Sequence, residues 1–147
     1  MIKVIFVLAQ VVDVAILGNS STEIYENLQS SKYLYFTEDI PQPVQCIAKG
    51  GNPPPEVQLM IGHRDVTEQF QSQIFPRLSG MKGLRLMEII TVMSTKRLVV
   101  GPAEDGQKLE CKVTVPGLGS HSTQATIQVS CKLNKSEILT LINHLTV

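Results

Sequence analysis

The sequence predicts an all-β chain, about seven short antiparallel strands stacked as a sandwich or closed as a barrel, and three observations predict it. Apolar residues alternate with polar ones in short runs, the mark of half-buried strands. Turn residues separate the runs, and almost no helical period lies between them. One stiff corner, Gly50-Gly51-Asn52-Pro53-Pro54-Pro55, divides two of the runs. Proline gives a sheet no ladder donor, so this corner belongs outside the sheets, where the chain crosses from one layer to the other.

Residues 1–18 carry two readings. Lys3 followed by an apolar run imitates a secretory signal, with Ala15 as a small residue for cleavage. Gln10 and Asp13 interrupt that run, and Asp13 is costly in a translocon or a bilayer. The other reading is an edge strand, with Val12, Val14 and Ile16 in alternation. No segment offers the roughly 20 apolar residues of a membrane-spanning helix. Residues 19–31 read as a linker, 32–131 as the domain and 132–147 as a tail.

Within the domain, "KYLYFTE" puts Leu34 and Phe36 on one side. "VQCIAK" does the same for Val44, Cys46 and Ala48, and "EVQLMI" for Val57, Leu59 and Ile61. "HRDVTEQFQSQ" reads as a polar stretch; "LRLMEIITV" and "TKRLVV" are rich in apolar and β-branched residues and read as strands. "QKLECKVTV" alternates through Leu109, Cys111, Val113 and Val115. "PGLGSHS" is a hairpin turn, and "QATIQVSC" brings Ala125, Ile127 and Val129 into phase. In the tail, Ile138, Leu139, Leu141, Ile142 and Leu145 follow Ser136 at helical spacing, so a short amphipathic helix is expected there.

Composition narrows the function. The chain has 147 residues, 43% of them hydrophobic and 18% charged, enough apolar material for one ordinary core. Thirteen basic residues balance thirteen acidic ones, so no net field draws nucleic acid or an anionic membrane. The three cysteines, Cys46, Cys111 and Cys131, form no Cys-x-x-Cys pair of the kind that tetrahedral zinc requires. Cys46 and Cys111 instead sit mid-strand on inward faces, and a bridge between them would staple the two layers through the core in an oxidising compartment. The alternative is two buried thiols in a reducing one. Cys131 is the remaining cysteine, read as a free thiol or a bond to another chain.

"CIAKGGNPPPEVQL" resembles the B–C region of immunoglobulin-superfamily domains, usually Cys-x-Ala-x-Gly-x-Pro-x-Pro-x-Val-x-Trp. "AEDGQKLEC" resembles their F strand, in which Asp105 holds the place of the acidic residue that closes the E–F turn. Leu59 stands where those domains bury a tryptophan, and Leu109 where they carry a tyrosine. "TKRLVVGPAEDGQKLECKV" is similar to second immunoglobulin domains of nectin-, nephrin- and fasciclin-type adhesion receptors. The resemblance covers about Tyr33 to Val129. It implies an immunoglobulin-like antiparallel sandwich acting outside the cell in adhesion or receptor recognition, as one of several modules of a membrane-anchored receptor. The implied partner is another cell-surface or extracellular protein, in homophilic or heterophilic contact. A secreted soluble binder, or an intracellular structural domain with reduced cysteines, is the alternative.

No residue presents itself for catalysis, a cofactor or a metal. His63, His121 and His144 are scattered and stand in no nucleophile or zinc motif. "GPAEDGQ" lacks the alternating oxygens of a calcium loop, and "KGGNPPPE" lacks the ending of a phosphate loop. Asn19 and Asn134 fit the N-glycosylation tripeptide. Finally, "LRLMEIITV" holds more apolar residues than one buried face needs. Burial between domains or a switch between sheets is the favoured account; an adhesion face anchored by Met87 and Ile89 is the other.

Overall fold

The computed structural model describes residues 9–18, 29–79, 86–131 and 142–144. The described residues form nine strands: β1 (Ala9–Leu17), β2 (Tyr33–Thr37), β3 (Gln42–Asn52), β4 (Glu56–Ile61), β5 (Arg64–Asp65), β6 (Gln71–Ser79), β7 (Leu86–Leu98), β8 (Lys108–Val115) and β9 (Gly119–Ser130). They make a four-stranded sheet in the order β1-β3-β7-β6 and a five-stranded sheet in the order β2-β9-β8-β4-β5. Every pairing is antiparallel except that of β2 with β9.

The two sheets face each other across one core. From the four-stranded layer come Ile16, Val44, Cys46, Ala48 and Met93; from the other come Leu34, Phe36, Leu59, Cys111, Val113 and Ile127. The alternation visible in the sequence supplies these residues, because a strand turns every second side chain to the same face. Cys46 and Cys111 are joined in a disulfide across the layers, with Cα atoms 6.5 Å apart. Leu59 lies directly opposite Cys111 and is fully buried, filling with an aliphatic side chain the space beside the bridge.

The proline corner does cross the layers: β3 ends at Asn52 in one sheet and β4 begins at Glu56 in the other, with a cis Asn52–Pro53 bond between them. Gly51, at φ +98°, sits where the chain leaves the first sheet. A Cβ there would meet Pro55 Cδ at 3.0 Å and the Val11 and Val115 methyls at 3.3 Å, so only glycine fits.

One feature refines the expectations and two depart from them. Ala9–Leu17 form the edge strand β1, paired with β3. A register shift between Val11 and Asp13 brings Val11 into the core, in phase with Val14 and Ile16 on either side of the irregularity. The stretch read as polar holds β5, a 3-10 turn at Thr67–Gln69 and the start of β6. As the outermost strand of its sheet, β6 is wetted widely: Gln71, Ser72, Gln73 and Ile74 are all exposed, and no alternation survives to be read. The two runs "LRLMEIITV" and "TKRLVV" are a single strand, β7, because Ser94 and Thr95 continue the ladder to β3 instead of turning.

β7 also explains its own apolar excess. Met93 and Thr91 lie opposite Cys46 and Ala48 and point inward, whereas Ile90 and Val92 lie opposite Lys49 and Ile47 and point outward. On that outer side Ile47, Ile90 and Val92 are 1%, 0% and 7% exposed and form a second buried cluster, with Leu17 and Phe75 packed against it. The four-stranded sheet is thus apolar on both faces. Of the helix expected in the tail, residues 142–144 are described and are helical; the rest of that expectation lies outside the described residues.

Candidate interaction face

The five-stranded sheet differs in having a polar, solvated outer face. On β8, Lys108, Glu110, Lys112 and Thr114 alternate outward against the buried Leu109, Cys111, Val113 and Val115. Glu110 accepts a hydrogen bond from the Gln124 side chain of β9 at 2.7 Å. The charges on this strand are of both signs, so the face carries no strong field.

Two aromatic side chains interrupt that polarity. Leu34 and Phe36 of β2 are buried, which turns Tyr33 and Tyr35 to the outer face. Tyr33 is 50% and Tyr35 75% exposed, and their rings lie 6.4 Å apart at 32°. Tyr33 is in register with Thr126 and Tyr35 with Gln128, so the rings stand beside hydroxyl and amide groups of β9. Two of the seven aromatic residues of the chain are displayed together here. The other large apolar residues exposed among those described, Ile74, Val99 and Ile142, occur singly. The sequence held this signal in "KYLYFTE": the parity that buries Leu34 and Phe36 exposes both tyrosines.

β2 is held in place from several directions. The Lys32 carbonyl accepts from Thr126 N–H at 2.9 Å, and Glu38 N–H donates to the Ser130 carbonyl at 2.9 Å. Upstream, Ser31 N–H donates to the Ile16 carbonyl at 2.8 Å and Ile16 N–H to Ser30 Oγ at 3.0 Å, tying the entry of β2 to the edge of the opposite sheet. At the far end Asp105 accepts Val129 N–H at 2.8 Å, clamping the turn before β8 onto β9. This is the closing role expected of Asp105, here filled by a backbone donor.

The remaining sites expected from sequence are dispersed. Cys131 is exposed, one residue past β9. Ile89 is half-buried and opposite Pro76; Met87 is opposite Leu78, with its side chain outside the described residues. Asn19 and Asn134 lie outside the described residues as well. His63, His121 and His144 are exposed and far apart in the chain. Among the described residues no three His, Cys, Asp or Glu side chains converge as a metal set, and no helix is long and apolar enough to cross a membrane.

Two open grooves also lie among the described residues. One, about 440 Å³, is lined by Gln69, Gln71, Ser94, Thr95, Lys96 and Arg97. The other, about 470 Å³, lies by Ile61, His63, Arg64, Glu104 and Gln107, where Arg64 approaches Glu104 at 3.5 Å. The carboxylate of Glu104 is also occupied by Gly101 N–H at 2.7 Å, so it serves the turn. Near this groove Asp65 is held below the ordinary carboxylate range by hydrogen bonding from the Thr67 side chain, then from Thr67 N–H and the Gln58 amide.

No protein-family model matches the chain, and no curated protein resembles it in sequence. Solved structures do resemble it in fold. The two-domain structure Rst D1-D2 superposes with a TM-score of 0.51 at 14% identity, over 84% of this chain and 48% of that one. The Ig1-2 module of the Drosophila receptor protein tyrosine phosphatase DLAR gives 0.45 at 14% identity, over 81% and 50%. The full ectodomain of mouse nectin-like molecule 4 gives 0.40 at 12%, over 64% and 31%. The chain therefore spans about half the length of the first two, and its fold is an immunoglobulin-like β-sandwich.

Proposed function

We propose that this immunoglobulin-type domain is an extracellular adhesion or receptor-recognition module, acting by protein–protein contact through the outer face of its five-stranded sheet. The observation that carries this reading is the pair Tyr33 and Tyr35, exposed side by side on a face that is otherwise polar. Tyrosine offers a large, stiff contact area with a polar tip, and it is enriched at the energetic centres of interfaces. The opposite sheet is a poor competitor, since its outer apolar residues are already buried.

Two further observations support the setting. A cross-layer disulfide suits an oxidising compartment, and the chain spans 48% of the similar two-domain structure Rst D1-D2. In this reading the immunoglobulin unit takes in β1, running from Ala9 to Ser130, as one module of a larger membrane-anchored receptor. Asn19 and Asn134 are its proposed glycosylation sites, and no catalytic step is assigned to it.

The test is adhesion of beads bearing the oxidised chain to cells or to one another. Replacing both anchors, Tyr33→Ser with Tyr35→Ser, is expected to weaken adhesion by roughly tenfold or more, the loss typical of removing interface anchors. Equal adhesion by the double variant, with its thermal midpoint unchanged, would remove the face from consideration.

A further inference from the structure

Resting on that reading of the two tyrosines, we infer that β2 recognises a second copy of itself, edge to edge and antiparallel, about a two-fold axis at Tyr35. The backbone supplies the first argument. N–H and C=O of one strand residue point to the same side, and successive residues point to opposite sides. Lys32 and Glu38 bond to β9 through their backbone groups, so the even-numbered residues of β2 face β9 and the odd-numbered ones face away. Among the described residues β2 is the last strand of its sheet. Thr37 C=O is taken by Ile40 N–H at 3.1 Å in the following turn. Tyr33 and Tyr35 thus direct their N–H and C=O groups to an open edge, and the same two residues carry the exposed rings. A sheet edge in this condition is a template for another strand.

Charge selects the strand. In an antiparallel self-pairing centred on Tyr35, Tyr35 meets Tyr35, Tyr33 meets Thr37, and Lys32 of one copy meets Glu38 of the other. Opposite charges across a strand pair attract and like charges repel. A parallel pairing in register would instead set Lys32 against Lys32 and Glu38 against Glu38. Sequence "KYLYFTE" is therefore self-complementary in one direction only. Because the axis stands perpendicular to the sheet, the interface is isologous, and all four tyrosines fall on one face. With Tyr33 half and Tyr35 three-quarters exposed, they add only part of their area, and the contact is of the small, transient kind. Weak contacts of this kind become firm when many are presented on apposed surfaces.

Sedimentation equilibrium of the oxidised full chain, up to about 1 mM, provides the test. A reversible dimer is expected. Tyr35→Pro removes an outward N–H and leaves the bonds to β9 intact, so a folded variant should dimerise at least roughly tenfold more weakly. A second set of variants keeps the outcome readable should proline disturb β2. Lys32→Glu alone and Glu38→Lys alone should each weaken the dimer severalfold, and the two together should restore it. A chain monomeric throughout, a dimer indifferent to Tyr35→Pro in a folded protein, or charge reversals without mutual rescue would each overturn the inference. So would a dimer that vanishes in Cys131→Ser. If the chain is monomeric while cell adhesion still depends on Tyr33 and Tyr35, self-pairing fails and recognition through the tyrosines stands.

Discussion

Thr91 carries its hydroxyl toward the core from β7, in register with Ala48 and Ile74. It is 1% exposed, and its oxygen has no hydrogen-bond partner among the described residues. A buried hydroxyl without a partner gives up its hydration for nothing in return. Thr91→Val keeps the shape and removes the oxygen, so it is expected to be neutral or stabilising by up to about 1 kcal/mol; the midpoint of urea unfolding measures it. Asp65 is a different case. Its carboxylate accepts Thr67 N–H at 2.9 Å and the Gln58 amide at 3.2 Å, and these bonds favour the charged form. With a folded pKa below the unfolded one, its contribution is present above roughly pH 4 and is lost as pH falls through the folded value. Asp65→Asn should therefore flatten the acid limb of the stability curve while leaving its slope near neutral pH unchanged. Chemical denaturation from pH 7 to pH 2 checks this.

Among the elements, β7 separates what alternation reveals from what it hides. A strand buried on one face alternates, whereas a strand buried on both reads as a continuous apolar run. Ile90-Thr91-Val92-Met93 is such a run, all four residues buried. Ile47 of β3 shows the same effect: it points away from the disulfide-bearing face and is still 1% exposed. Truncation at an outward position of an ordinary sheet costs little, but here Ile47→Ala should cost about 2–4 kcal/mol, the range for core residues. A loss under about 1 kcal/mol in equilibrium unfolding would mean that the outer cluster is not a packed core. β6 fails to announce itself for the opposite reason. β6 has water on most of its surface, so nothing selects alternation there.

For the molecule as a whole, the disulfide closes a loop of 65 residues between the layers. Loop-closure entropy puts its stabilisation at about 4 kcal/mol, chiefly by restricting the unfolded chain. Cys46→Ala with Cys111→Ala should lower unfolding free energy by about that amount, comparable with the total stability of many small domains. An undiminished midpoint for the double variant would show the core to be sufficient by itself. The paired face belongs to this scale too. Tyr33 and Tyr35 are useful only because Leu34 and Phe36 are pinned in the core and β9 holds the strand from one side.

The layered fold, the inward cysteines and the crossing at the proline corner were all legible in the chain, because local alternation and ring-constrained backbone act over a few residues. Asp105 as a turn closure was legible through resemblance. The union of two runs into β7, the second cluster around Ile47 and Ile90, and the strand hidden in "QSQIFPRLS" were decided by tertiary structure, since each depends on what lies beside a strand rather than along it. The tyrosine face lies between these cases. Its parity is written in "KYLYFTE", but only the parallel pairing of β2 with β9 leaves Tyr33 and Tyr35 at an open edge, because a strand's free side is a property of the sheet around it.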